Sequence, residues 1–147
     1  MNPINAGKVP TSYWVVTGLG LLWNAFGAYD YIMTRMRDAE YLKGMGDPQA
    51  VLAWIDSYPL YAQIGWGLGV WGSVVGSVLM VLRSRHAASA FVVSLVGAIV
   101  SFGYQFTHTV PAALDTTAGK VIPLVIMAVV LFLWRYSRKS AEQGIQR

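Results

Sequence analysis

Four apolar stretches, at 13–34, 59–82, 87–108 and 118–136, occupy most of this chain. Each is close to the roughly 20 residues that carry a helix across a hydrocarbon core of about 30 Å. Lipid offers a backbone no hydrogen-bond partner, so segments of this kind must satisfy their own amides as helices. The chain is therefore expected to be an all-α membrane protein, a four-transmembrane-helix bundle in one domain. Composition supports this. Of 147 residues, 55% are hydrophobic and only 12% are charged, with a mean hydropathy of +0.47, against about 25% charged in a typical soluble domain. Competing with the first span is a cleaved signal peptide ending at Ala25-Phe26-Gly27. Against it, Lys8 is the only basic residue ahead of the stretch and Asn24 interrupts its apolar core.

The connectors say how the bundle sits. Residues 35–47 are polar. Asp47-Pro48 reads as an N-cap followed by proline in the first helical turn. Ala50, Val51, Trp54 and Tyr58 then recur at helical spacing, with Gln49, Ala53 and Asp56 on another face. This predicts a short amphipathic interfacial helix at about 48–57, a structured loop being the alternative. Arg83-Ser84-Arg85-His86 is a tight charged turn. Pro123 is placed in the first turn of the fourth span, where a missing N–H costs little, and 137–147 reads as a basic tail. Four spans put both termini on one side. That side carries Lys8, Arg83, Arg85, Arg135, Arg138, Lys139 and Arg147, and the other carries Arg35, Arg37, Lys43 and Lys120. The bias makes the first side cytoplasmic.

Polar residues inside such spans are the candidates for function, because lipid penalises them. Asn24, Asp30, Gln63, Tyr104, Gln105 and His108 all fall in the outer half of the proposed bundle or at its edge. Tyr104, Gln105 and His108 are expected on one face of the third helix, with Ser101 and Gly97 extending it inward. Asp30 and His108 are both near outer helix ends, so a carboxylate–imidazole proton site, cation site or ion pair is one reading. Interhelical hydrogen bonds that set helix register, worth about 1 kcal/mol each, are the other.

The second span carries Gly65, Gly67, Gly69, Gly72 and Gly76. Residues 67–72 spell the dinucleotide-binding pattern G-x-G-x-x-G. That pattern needs a preceding strand and a helix N-terminus open to solvent, and here it lies within an apolar helix. Gly69, Gly72, Ser73 and Gly76 instead form a small-residue stripe suited to close helix packing, against another helix of this chain or a second copy.

Other chemistries find little support. With no cysteine, disulfides, thiolate catalysis and Cys-ligated metals are excluded. His86 and His108 belong to opposite membrane faces, so one haem cannot take both, and no metal-ligand spacing is present. There is no nucleophile elbow, P-loop or zincin helix, so no enzymatic activity, metal or cofactor is expected. The net charge of +4 is spread over short loops and gives no nucleic-acid face.

The run Leu21-Leu22-Trp23-Asn24-Ala25-Phe26-Gly27-Ala28-Tyr29-Asp30-Tyr31, with Asp56-Ser57-Tyr58-Pro59 and Val70-Trp71-Gly72-Ser73-Val74-Val75-Gly76-Ser77, resembles a family of small, four-span bacterial inner-membrane proteins. Some members of that family carry sugar-transporter labels. In size and span number the chain is also similar to DoxX-type membrane proteins. The resemblance implies membrane class, bacterial origin and a link to transport, and it carries no site residues. Two functions are expected to compete. In one, the outer polar cluster binds or passes a small solute or ion, with the protein a homo-oligomer in the bilayer. In the other, the chain is an accessory or scaffolding subunit docking on a larger membrane complex through its glycine-rich second span.

Overall fold

The computed structural model describes residues 8–147. Among these, the regular elements are all helical: α1 (Thr11–Arg35), α2 (Ala39–Leu42), α3 (Pro48–Asp56), α4 (Leu60–Val81), α5 (Ala87–Thr107) and α6 (Thr117–Glu142), with a single 3-10 turn at Ala112–Leu114. The capping chemistry read from Asp47-Pro48 is present. The Asp47 carboxylate accepts from the Ala50 N–H at 3.1 Å, and Pro48 takes the first helical position. Asp38 and Thr116 cap α2 and α6 in the same way.

The four long helices run alternately up and down. Along α1 and α4, Tyr13 meets Met80, Asn24 meets Ser73 and Ser77, and Tyr31 meets Trp66. Gly76 lies against Phe91, and Gly65 against Gly97, so α4 and α5 are antiparallel too. Gln105 reaches Gly119, which sets α6 against α5. Residues 36–58 cross one end of the bundle, here called the lid end. The 82–86 turn and residues 143–147 form the opposite, tail end.

Helices α4, α5 and α6 are each long and apolar enough to cross a membrane. Only 28%, 33% and 17% of their apolar windows are buried inside the protein. Their remaining apolar surface, Val96 and Phe132 among it, faces outward. α1, with 25 residues, is long enough but less apolar than these three, because Asn24, Asp30 and several Trp and Tyr residues interrupt it. The packed core lies toward the tail end, where Tyr13, Met80, Ala87, Phe91, Val130 and Leu133 are all buried together.

Two helix ends depart from what composition suggests. Arg37 and Arg83 have φ of 60° and 56°, a left-handed conformation that costs a non-glycine residue on the order of 1 kcal/mol. Each is held by partners. The Arg37 guanidinium forms a forked pair with Asp56 at 2.9 and 3.0 Å. Arg83 Nε donates to the Ile145 carbonyl at 2.9 Å, and its own carbonyl accepts from the Arg147 N–H.

The last helix differs from the expectation at both ends. α6 begins at Thr117, so Pro123 lies six residues in rather than in the first turn. It also continues to Glu142, where 118–136 was expected. Residues 143–147 do not trail away as a tail. Gly144 turns with φ 75°, the Ile145 N–H bonds to the Ser140 carbonyl at 2.9 Å, and the chain folds back. Gln146 is then buried, accepting from Ser137 Oγ at 2.8 Å and donating to Tyr13 Oη at 3.3 Å.

A candidate solute pocket beneath the lid

The glycine stripe is occupied within the chain. A Cβ on Gly72 would fall 3.0 Å from the Ser94 N, one on Gly76 within 2.8 Å of the Phe91 ring, and one on Gly97 2.6 Å from the Gly65 carbonyl oxygen. Helices packed this closely leave those positions little room beyond a hydrogen. Gly69 also faces α5, and its carbonyl accepts from Ser94 Oγ at 2.6 Å. Ser73 serves the other neighbour, its carbonyl facing Asn24 of α1. This glycine face of α4 is therefore covered by α5 of the same chain.

The six polar candidates separate into four groups. Asn24 is buried, and its Nδ2 donates to the Ser73 carbonyl at 3.2 Å and to Ser77 Oγ at 2.7 Å. It pins α1 to α4. Gln63 Nε2 donates to the Tyr58 carbonyl at 3.0 Å, closing the turn before its own helix. Tyr104 and His108 stack at 4.0 Å, and the His108 Nδ1 meets the Tyr104 carbonyl at 2.9 Å. Tyr104 also packs with Trp54, Tyr58 and Tyr61 into an aromatic corner. Asp30 and His108 share no hydrogen bond or ion pair among the described residues.

Asp30 and Gln105 are the two candidates that share a cavity. It measures about 170 Å³ and is lined by Asp30 and Thr34 of α1, Met45, Ile55 and Tyr58 of the lid, Trp66 of α4, and Ser101 and Gln105 of α5. Ser101 and Gln105 are four residues apart on one helix face. Tyr104 belongs to the neighbouring row, which is why it and His108 turn to the aromatic corner instead. The Asp30 side chain accepts from the Tyr41 hydroxyl at 2.5 Å through Oδ1. Oδ2 takes no hydrogen bond among the described residues. Burial and the Asp30 carboxylate push the Tyr41 phenol well above its usual range, so Tyr41 stays protonated and donates at all ordinary pH. Thr34 Oγ1 is committed to the Asp30 carbonyl at 2.7 Å.

Gln105 has a second task. Pro123 lacks an N–H, so the carbonyl four residues earlier, that of Gly119, has no helical partner. Gln105 Nε2 donates to this carbonyl at 3.3 Å. A neighbouring helix repairs a proline break in this way when no water is at hand.

Sequence reasoning had singled out Asp30 and Gln105 but not Tyr41, Tyr58, Thr34 or Trp66 as their neighbours. Tyr41 is eleven residues from Asp30 on a connector, and no periodicity links them. Ser101 was legible as the i−4 neighbour of Gln105. Among the described residues no group of His, Asp or Glu is arranged to hold a metal ion.

The helices and their outward apolar surfaces are compatible with an integral membrane protein of the all-helical class. No protein-family model, curated protein or solved structure matches the chain.

Proposed function

We propose that this is a four-span, non-enzymatic protein of a bacterial inner membrane, whose lid-end pocket binds a small solute carrying positive charge or several hydrogen-bond donors. The carrying observation is the Asp30 pocket. A carboxylate with one oxygen on Tyr41 and the other without a protein partner faces a space walled by two aromatic rings, two hydroxyls and an amide. Carboxylate, aromatic faces and hydrogen-bonding side chains together recognise a small cation or polyol. α1 serves as the fourth span. Its inward polar groups Asn24 and Asp30 are hydrogen-bonded, while Leu19, Leu22 and Phe26 face outward. α3, with Trp54 near its end and Tyr58 just beyond it, lies in the interface. The lysine and arginine bias places the tail end in the cytoplasm and the lid end outside.

Because α4 and α5 touch backbone to backbone beside the pocket, passage of solute across the membrane would use a second copy of the chain. The test is Asp30→Asn, which keeps the shape and removes the charge. Melting of the protein in detergent is followed with guanidinium, choline and glycerol as probes, beside flux into proteoliposomes. The wild type is expected to be stabilised by at least one probe and the variant by none. An equal response in a well-folded Asp30→Asn protein would remove the pocket from function and leave the accessory-subunit reading ahead.

A further inference from the structure

On the side of the bundle away from α4 and α5, helices α1 and α6 touch only in places. Tyr13 stacks on Tyr136 at 6.3 Å, and a Cβ on Gly20 would lie 3.1 Å from Leu133 Cδ2. Between and beyond these contacts runs a groove of about 570 Å³, walled by Leu19, Trp23 and Phe26 of α1 and by Val129, Phe132 and Leu133 of α6. Its walls are apolar throughout, and three of them, Leu19, Phe26 and Phe132, are 64%, 65% and 53% exposed.

The groove follows α1 from Val16 to Phe26, ten residues or roughly 15 Å at 1.5 Å per residue. It is open along its outer side, and its apolar walls match extended hydrocarbon chains.

Charge marks one end. The tail-end limit of the groove is the Phe132–Tyr136–Tyr13 row, with ring centroids 5.8 and 6.3 Å apart. Arg135 and Lys139 follow Phe132 at three and seven residues, on the same stripe of α6. Both are exposed, and neither joins an ion pair among the described residues. Arg138 differs, pairing with Glu142 at 3.7 Å and lying over the Trp134 ring. An apolar slot within the span, ending at two uncommitted cations where the helix leaves it, matches the layout of a phospholipid with a negative headgroup.

We infer that the α1–α6 groove is a binding site for an anionic phospholipid, its acyl chains lying along Leu19, Trp23, Phe26 and Phe132 and its phosphate held by Arg135 and Lys139. The inference rests on the membrane-spanning reading of α1 and α6 and not on the Asp30 pocket. Two basic side chains beside an anionic headgroup imply a preference of about tenfold or more for the anionic over a zwitterionic lipid.

The test uses the full chain in mild detergent, titrated with phosphatidylglycerol or phosphatidylcholine of identical tails and read by native mass spectrometry. Phosphatidylglycerol is expected to bind about tenfold more tightly. Arg135→Gln with Lys139→Gln, both on the exposed surface, should abolish that preference and leave phosphatidylcholine binding unchanged. Leu19→Trp, which fills the groove from its exposed wall, should weaken both lipids and keep their ratio. Equal affinity for the two lipids in the wild type overturns the inference. So does a preference that survives the double charge removal, or binding of both lipids undiminished by Leu19→Trp. Competition by glycerol phosphate as effective as by the lipid would reduce the site to an anion contact and also overturn it. Release of the protein from membranes by carbonate would sink the membrane reading together with this one. Retention there, with no lipid preference, would sink this one alone.

Discussion

Asn24 shows how a single side chain satisfies lipid's demand that polar groups be paired. Its amide nitrogen donates to one carbonyl and one hydroxyl of α4, so the residue holds two helices together. Asp30 is held differently, with a single partner from the lid, and its second oxygen takes no hydrogen bond among the described residues. At the lid surface, Arg37 and Asp56 form the only forked ion pair among the described residues. The guanidinium, chiefly through its hydrogen bonds, holds the Asp56 carboxyl below its ordinary value of 3.8. A carboxylate depressed in the folded state contributes stability above its unfolded pKa and loses it as the pH falls through the folded value. The contact's contribution to holding the lid is therefore expected to be full above about pH 4 and to fade in stronger acid. Limited pepsin digestion reads this directly. Residues 38–57 should resist cleavage at about pH 4.5 and yield at about pH 2.5, whereas Asp56→Asn should be cut in the lid at both. Equal resistance of the two proteins at the higher pH would show that this pair does not hold the lid.

At the scale of elements, the closeness of α4 to α5 is set by hydrogen atoms. A Cβ added at Gly97 would fall 2.6 Å from the Gly65 carbonyl oxygen and 2.7 Å from the Gly69 amide nitrogen, both backbone, so nothing there yields to an added methyl group. A Cβ added at Gly67 would meet only the Tyr31 hydroxyl, at 3.4 Å. Gly97→Ala is expected to cost about 1–3 kcal/mol by overpacking, while Gly67→Ala should be neutral or slightly stabilising, since alanine is the better helix former. Thermal melting of the two variants in one detergent compares them, and equal melting points would mean that the helices part without penalty. The α5–α6 pair has its own device in Pro123 and Gln105. Gln105→Ala should cost about 1 kcal/mol, because it strands the Gly119 carbonyl. Pro123→Ala restores a backbone donor to that carbonyl, so in that background the same Gln105→Ala change should cost nearly nothing. A double-mutant cycle that proves additive would separate the two residues.

For the whole molecule, polar, aromatic and charged groups are unevenly shared between the two ends. The lid end gathers Asp30, Asp38, Glu40, Asp47, Asp56 and Asp115, while Glu142 is the sole acid toward the tail end. The tail end holds most of the lysines and arginines, together with the buried core and the folded-back Gln146. This asymmetry fits a chain inserted with its tail end inside. Cysteines introduced singly at Gln49 and Gln143, two exposed positions, should label oppositely with an impermeant thiol reagent on intact cells. Position 49 should react and position 143 should not. The reverse pattern would invert the orientation, and equal labelling would require an even number of spans between the two positions.

Helix type and approximate helix position were legible because long apolar runs of this kind have one ready way to satisfy their backbones. So were the caps at Asp47 and the small-residue face of α4, since both depend on neighbours within a few residues. The partner of that face was not legible. Glycine spacing says that something approaches closely, and only the folded chain shows it to be Gly97 and Ser94 of α5. The polar candidates behaved likewise. The sequence determined that Asn24 and Asp30 needed explanations, because their cost is local. Which was structural and which faced a cavity was decided by Ser77, 53 residues from Asn24, and by Tyr41 on a connector of no regular period. The tail was misread for the same reason. A polar run such as 137–147 has no apolar period to betray burial, and Gln146 is buried only because Tyr13 and Ser137 converge on it from opposite ends of the chain. Local preferences write themselves into neighbouring residues, whereas the pairing of buried polar groups is a property of three-dimensional proximity.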